Sequence, residues 1–446
     1  MRIVVVGGGV AGLAAAHRAA QLGAEVHVVE QSPAVGGKLR TVPLPSGARV
    51  DSGAEAFAVR DPQTGEPSPA FQLAHELGMA GDLVSPQVSR AAVLGSGGLE
   101  PIPAGTLMGI PGDAALETAP FNGPLLAAGA DVAVGELVRR RLGAAVVERL
   151  VDPMLGGVYA GRADDLSLAA TIPALAAACT EFPTLTGAVR AVLAARPKDT
   201  TPLFKTLGAG LGGLIDALAA AVGEDRIHTG RPVRELCRAG RGQWRLTVGS
   251  TRDPENLLAD GVVLAIPARP VERLLANVAP ADLKLDYASV ALVTVALPEA
   301  ALPEYSGFLV PAGGRNHIKA ATFLDRKWPH LRRPGRTLAR VSLGRFGEES
   351  VLQRPDGDLV EIAVADLAAI VGTPRRALES AVHRWGGALP QYAPGHPARV
   401  AAARASLPAG LALAGAAFDG VGIPACVRSG RTAAEAVVAA VEQSMA

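Results

Sequence analysis

The sequence predicts an α/β protein: a parallel-sheet nucleotide-binding unit that carries a mixed α/β lobe and an inserted helical lobe. Three observations predict it. At the N-terminus a short apolar strand runs directly into a glycine-rich turn and a helix. Residues 66–184 are rich in Ala and Leu and punctuated by Pro and Gly. From residue 289 to about 345 the pattern becomes strand-rich.

The first of these is the most specific. Residues 3–6 are β-branched with no polar face, as in a strand buried on both sides. Gly7-Gly8-Gly9-Val10-Ala11-Gly12 follows at once. Residues 13–22 have helical character, and Gly23 stands where the residue after a helix C-cap belongs. Val26, Val28 and Val29 form a second strand ending at Glu30, followed by Gln31. Each glycine has a physical role. Gly7 permits the sharp turn, Gly9 lets backbone approach a pyrophosphate, and Gly12 lets helix and strand pack closely. The helix N-terminus offers unpaired N–H groups to phosphates, and Glu30 can accept ribose hydroxyls.

Composition sets the outer limits. The chain has 446 residues, enough for two or three domains at ~150 residues each. Hydrophobic residues make up 49% and charged ones 19%, which excludes global disorder. With Lys+Arg 43 against Asp+Glu 42, there is no basic excess for a nucleic acid. The longest stretches free of Asp, Glu, Lys and Arg, 3–17 and 166–180, fall short of the ~20 apolar residues of a membrane span, and Pro173 breaks the second. Cys179, Cys237 and Cys426 form no CxxC pair and no metal spacing. A cytoplasmic, reducing location and no metal are therefore expected.

Further along, Asp131 is expected to cap one helix running through Val134, Leu137, Val138, Leu142, Val146, Val147, Leu150 and Val151, with Arg139, Arg140, Arg141 and Arg149 outside its apolar face. It is either an amphipathic core helix or one that docks on a membrane or lines a tunnel. Gly208-Ala209-Gly210-Leu211-Gly212-Gly213 repeats the glycine spacing. No clean strand precedes it and no acid follows at the right distance, so it is expected to be a plain turn into a helix over 214–222. Strands are expected at 232–236, 244–248, 260–266, 290–296, 308–310, 320–323, 338–343 and 411–414, and helices over 358–371 and from Pro424 to 441.

Gly36-Gly37-Lys38-Leu39-Arg40-Thr41 and Asp51-Ser52-Gly53-Ala54-Glu55-Ala56 resemble the extended fingerprint of the glutathione-reductase superfamily, in its amine-oxidase-like branch. The resemblance implies a Rossmann-like FAD-binding domain of glutathione-reductase type with a mixed α/β substrate lobe and an inserted helical lobe. Four further strings resemble the oxygen-dependent porphyrinogen oxidases of haem synthesis, coproporphyrinogen III oxidase type, sister to protoporphyrinogen oxidase. They are residues 151–161 (VDPMLGGVYAG), Lys327-Trp328-Pro329-His330, Pro390-Gln391-Tyr392 with Gly395-His396, and Phe418-Asp419-Gly420-Val421-Gly422-Ile423-Pro424.

That resemblance implies non-covalent FAD, held by Gly7, Gly8, Gly9, Val10, Ala11, Gly12, Glu30, Gln31, Gly37, Lys38, Gly53, Ala54, Val233, Trp385, Gly422, Ile423 and Pro424. It implies a porphyrinogen substrate, O2 as acceptor with peroxide released, and product hand-over to the next haem-pathway enzyme. It leaves room for peripheral membrane contact. The FAD domain would comprise residues 1–60, 185–270 and 400–446, the substrate lobe 150–184 and 271–399, and the helical lobe 61–149.

A porphyrinogen is an apolar macrocycle edged with carboxylates, so basic side chains near the cavity are candidates. Arg60, following the Gly53 turn, is either a propionate partner or a solvated arginine; Arg162, Lys319 and Lys327 are weaker candidates. Tyr159 lines the cavity or is a satisfied core tyrosine, and Trp385 borders the flavin or packs in the core. No residue stands out as a proton acceptor.

Overall fold

The computed structural model describes residues 1–117, 122–197 and 202–445. Residues 118–121, within the expected 61–149 lobe, and 198–201, within the expected 185–270 segment, lie outside the described residues. The first sheet is parallel throughout. Its strand order is Ile227–His228, Glu25–Val29, Arg2–Val6, Gly261–Leu264 and Leu411–Leu413. Strands buried on both faces read as unbroken apolar runs. Ile3, Val4, Val5 and Val6 are accordingly all buried.

One face of this sheet carries the helices Val10–Gln21, Gly212–Val222 and Ile423–Met445 around a core that includes Ala14, Leu214, Leu218 and Val437. A side chain on Gly430 would overlap the carbonyl of Ala11, so glycine there lets the first and last helices touch. The other face is covered by an antiparallel sheet, Val233–Arg238, Trp244–Gly249 and Pro254–Ala259, and by the helix Ala268–Leu275.

The second large sheet has seven strands, in the order Glu379–Gln391, Asp286–Pro298, Arg336–Leu343, Ile318–Phe323, Gly307–Leu309, Ala92–Gly95 and Gly98–Pro101. The helix Asp356–Val371 buries Leu359, Ala363 and Leu367 against it. A helical cluster including Val138, Val151, Leu155, Leu175 and Val189 forms the remaining core.

Several expectations are corrected. The stretch 61–149 is not simply helical, since its hairpin Ala92–Pro101 completes the seven-stranded sheet. Asp131 caps no helix there. Its carboxylate accepts from Ser167 Oγ at 2.6 Å, Ala169 N at 3.1 Å and Gly395 N at 2.7 Å. The helix expected to run to Val151 stops at Leu142, because Gly143 adopts φ 88°. A fresh helical segment follows, ending in Asp152–Tyr159.

The 13-residue strand Glu379–Gln391 was not expected. Gly386, Gly387 and Pro390 interrupt its pattern. It is an edge strand whose pairing slips between Ala288 and Val290, where glycine and proline are tolerated.

Candidate active site

The strand Arg2–Val6 ends in Gly7 at φ 108°, a conformation that favours glycine. A side chain on Gly12 would overlap the Gly7 carbonyl, whereas one on Gly9 would meet nothing within 4 Å. The first position is closed by packing and the second opens outward. The helix Val10–Gln21 starts from Gly9 with no side-chain cap. Its first-turn N–H groups therefore remain available to an anion. Val10 and Ala11 are buried in the turn, and Gln31 is exposed beside it.

Glu30 is held from both sides. Gly8 N donates to Oε2 and Ser32 N to Oε1, each at 2.7 Å. Each oxygen keeps a lone pair for a further donor. Arg231 N donates to the Glu30 carbonyl at 2.8 Å, which brings Val233 and its strand alongside.

The second fingerprint lies against the first. Gly36 N donates to the Gly8 carbonyl at 2.8 Å, and a Cβ on Gly37 would sit 3.3 Å from Gly9 Cα. The Lys38 ammonium forms no hydrogen bond or ion pair with the described residues, while its carbonyl accepts from Ala54 N at 3.2 Å. Burial pushes its ammonium below the ordinary lysine range. A cation held without a counter-charge beside an uncapped helix N-terminus is a site for an anion.

Next comes the turn 51–55. A side chain on Gly53 would overlap the Lys38 carbonyl. Arg340 donates to the carbonyls of Asp51 and Gly53, both at 3.0 Å, and pairs with Glu55 at 2.6 Å. Trp385 Nε1 donates to the Ser52 carbonyl at 2.6 Å. The seven-stranded sheet thereby fixes Gly53 and Ala54 against the parallel sheet. On a third side, Gly415 N donates to Ser429 Oγ at 2.8 Å, and Ser429 and Arg404 both bind Asp419. These contacts hold the loop through Gly422, from which Ile423 and Pro424 begin the last helix. Cys426 is buried beneath that loop, and burial pushes its thiol up to about 11.

The basic candidates separate. Lys327 is 2.6 Å from Glu55, which it shares with Arg340. Burial opposes the Glu55 charge, but these two cations outweigh it and hold the carboxyl below its usual range. Lys327 is thus committed within the protein. Arg162 binds Glu348 and lies 3.9 Å from Asp152. Arg60 is half-buried in an isolated bridge to Pro67. Lys319 is buried against the helix that ends in Tyr159. Tyr159 packs edge-on to Tyr392, with centroids 5.8 Å apart, and burial pushes its hydroxyl up to about 12.

Arg340 and Glu55 were missed as site residues. Glu55 lies inside the turn string 51–56, whereas Arg340 comes from a distant strand that no spacing in the sequence announced. A cavity of ≈ 350 Å³, lined by Pro267, Arg269, Leu285, Tyr287, Phe346 and Gly387 among others, opens at the seam of the two large sheets. Among the described residues, no group of three His, Cys, Asp or Glu could hold a metal ion.

The family model described as flavin containing amine oxidoreductase matches residues 10–438. The chain belongs to this family. Within it, the chain is 37% identical to the coproporphyrinogen III oxidase of Mycobacterium tuberculosis, over 99% of this chain and 98% of that one. It is 31% identical to the Bacillus subtilis coproporphyrinogen III oxidase, over 97% and 96%. A solved structure assigned as a protoporphyrinogen oxidase from Exiguobacterium sp. 255-15 superimposes with TM-score 0.82 at 32% identity, covering 99% of both chains.

The residues present fit the family's flavin as a dinucleotide. Gly9 leaves open space, the helix behind it is uncapped, and Lys38 lacks a partner among the described residues. No helix among the described residues is long and apolar enough to cross a membrane.

Proposed function

We propose that this chain is an FAD-dependent oxidase of haem biosynthesis that converts coproporphyrinogen III to coproporphyrin III, with O2 as acceptor. The observation that carries the reading is end-to-end similarity to coproporphyrinogen III oxidases, joined to an open glycine turn beside an unpaired Lys38. Six hydrogens leave the porphyrinogen in three two-electron steps, and three O2 become three H2O2. The Rossmann-like, glutathione-reductase-type domain would comprise residues 1–60, 185–270 and 400–446. Its support is that the parallel sheet draws strands from all three segments.

When bound, the flavin supplies the two-electron acceptor. The chain's own residues bind and orient. The N–H groups behind Gly9, with Lys38, hold the diphosphate, and Glu30 takes the ribose. Gly53, Ala54 and Trp385 wall the ring, and the N-terminus of the last helix places its positive end near it. Aromaticity of the product drives the chemistry, so a strong protein base is not required. The cavity at the seam of the sheets holds the macrocycle in place. The FAD is non-covalent in this reading, since Cys426 is buried with its thiol directed to the Gly420 carbonyl.

The purified protein should be yellow and release its flavin on acid precipitation. Anaerobic coproporphyrinogen III should bleach it and air restore it, with about three peroxides per porphyrin. A protein that cannot be reconstituted with FAD, or that turns over only with NAD(P), would sink the proposal. The second reading, protoporphyrinogen IX oxidase, draws on the 32% identical Exiguobacterium structure. Faster turnover of protoporphyrinogen IX than of coproporphyrinogen III would favour it.

A further inference from the structure

Lys319 and Arg345 are the one lysine and the one arginine among the described residues that are fully withdrawn from solvent, 4% and 7% exposed. They lie side by side. Lys319 Nζ donates to the Gly156 carbonyl at 3.3 Å, and a Cβ on Gly156 would stand 2.9 Å from Arg345 Nη1. Arg345 itself donates to the Val310 carbonyl. Both acceptors are neutral.

The nearby carboxylates are otherwise engaged. Asp152 accepts from Ala163 N at 2.8 Å and faces Arg162, and Glu348 pairs with Arg162. No carboxylate among the described residues forms an ion pair with Lys319 or Arg345. Asp152 and Glu348 attract Arg345 through space without pairing to it, and no carboxylate among the described residues acts on Lys319, so the two buried like charges are unfavourable, first by desolvation and then by mutual repulsion. Both effects act on Lys319 and lower its pKa to about 7.

The surroundings identify the missing partner. The pair sits between the seven-stranded sheet and the helix Asp152–Tyr159, away from the glycine turn that serves the diphosphate. Phe346, next to Arg345, lines the cavity at the seam of the sheets and donates its N–H to the Ala160 carbonyl at 2.7 Å. Gln391 Nε2 donates to the Tyr159 carbonyl at 2.8 Å. The helix end is therefore pinned by three strands or their extensions, and the pair reaches the cavity wall through Phe346, the chain neighbour of Arg345.

We propose that Lys319 and Arg345 together receive one carboxylate of the tetrapyrrole. This rests on the porphyrinogen reading and deepens it. Occupancy by a carboxylate raises the Lys319 pKa, so affinity is full below about pH 7 and falls as pH rises through that value. The other charged groups around the pair are Arg162, Asp152 and Glu348, and Arg269 and Asp286 line the cavity itself.

The test titrates the FAD-loaded enzyme with coproporphyrin III and with its uncharged tetramethyl ester, followed by porphyrin fluorescence. The unmodified enzyme should prefer the acid. Lys319→Met and Arg345→Met should each weaken the acid by about ten- to hundredfold and leave the ester unchanged. Lys319→Arg should keep most of the preference but lose its decline above neutral pH. Equal losses for acid and ester would show a merely structural role and overturn the proposal. Unchanged acid binding in both Met variants, with the unmodified enzyme still binding, would overturn it while leaving the porphyrinogen reading intact. If the unmodified enzyme binds neither porphyrin, both fall.

Discussion

The chain contains two glycine turns of the same spacing, Gly7–Gly12 and Gly208–Gly213, and they do opposite things. Each follows a strand and enters a helix. Behind Gly7 the strand lies inside the parallel sheet, the helix start is uncapped, and the nearby charged groups are Glu30, bonded to Gly8 N, and the Lys38 ammonium, which has no partner among the described residues. Before Gly208 the strand Phe204–Leu207 pairs antiparallel with two short strands in a separate small sheet. The start of its helix is filled from within. Leu211 N donates to Asp51 Oδ1 at 2.9 Å and Gly212 N to Thr41 Oγ1 at 2.8 Å. The spacing of a glycine motif permits close approach; what decides its use is whether the protein itself already occupies the helix N-terminus. At the second turn a carboxylate and a hydroxyl stand where a phosphate would.

Substitution at Gly12 should break the comparison most severely. Gly12→Val would drive a side chain into the Gly7 carbonyl and cost about 3 kcal/mol or more, seen as aggregation or a lowered urea midpoint. Gly9→Ala should sharpen the comparison, because its Cβ meets nothing. It should leave apoprotein stability within about 0.5 kcal/mol and weaken flavin binding at least about tenfold. Equal stability losses at both positions would mean that Gly9 is not an open cradle.

The next largest effect concerns pH. Lys38 has a lowered pKa through burial, and a bound diphosphate should raise it again. Flavin affinity should then be full below the free-protein pKa of Lys38 and fall as pH rises through it. Lys38→Met should remove that dependence. Asp51, at the second turn, is shifted the other way. Burial raises its pKa, with the bonds from Thr41 and Leu211 opposing. A carboxyl whose folded pKa is raised binds its proton more tightly when folded. Its contribution to stability is therefore present at acid pH and lost as pH rises from the ordinary Asp value through the folded one. Asp51→Asn should flatten that acid-side slope in urea titrations, and an unchanged slope would remove Asp51 as its source.

The smallest effect tests the filling of the second helix. Thr41→Val removes the hydroxyl that caps Gly212 N and should cost about 1 kcal/mol of stability, without creating a second nucleotide site. Binding of a second flavin or nicotinamide dinucleotide by that variant would show that the capping groups alone had excluded it.

What could be read in advance follows contact distance along the chain. Residues 2–30 form strand, turn, helix and strand from neighbours, so their periodicity and glycines carried the answer, down to Gly23 at φ 83° behind the helix. The strand at 204–207 was missed because it is four residues long and finds its partners at residues 57–58 and 83–84. The break at Gly143 escaped notice because an apolar stripe continues across it while the backbone does not.

The sequence by itself determined the nucleotide-binding unit, the family strings and the positions of many of the longer strands, because each depends on local geometry or on a run of adjacent residues. Tertiary structure alone decided which charges are spent and which remain. Lys327 is neutralised by Glu55 only because the short helix Leu324–Lys327 comes from a distant segment to the turn 51–55, and Arg340 reaches Gly53 from the strand beside it. Lys319 and Arg345 become neighbours because their strand and loop meet beneath one helix. The charge on a lysine is written in the sequence. Whether it has a counter-ion depends on what lies within about 4 Å of it, and for these residues that neighbour comes from another part of the chain.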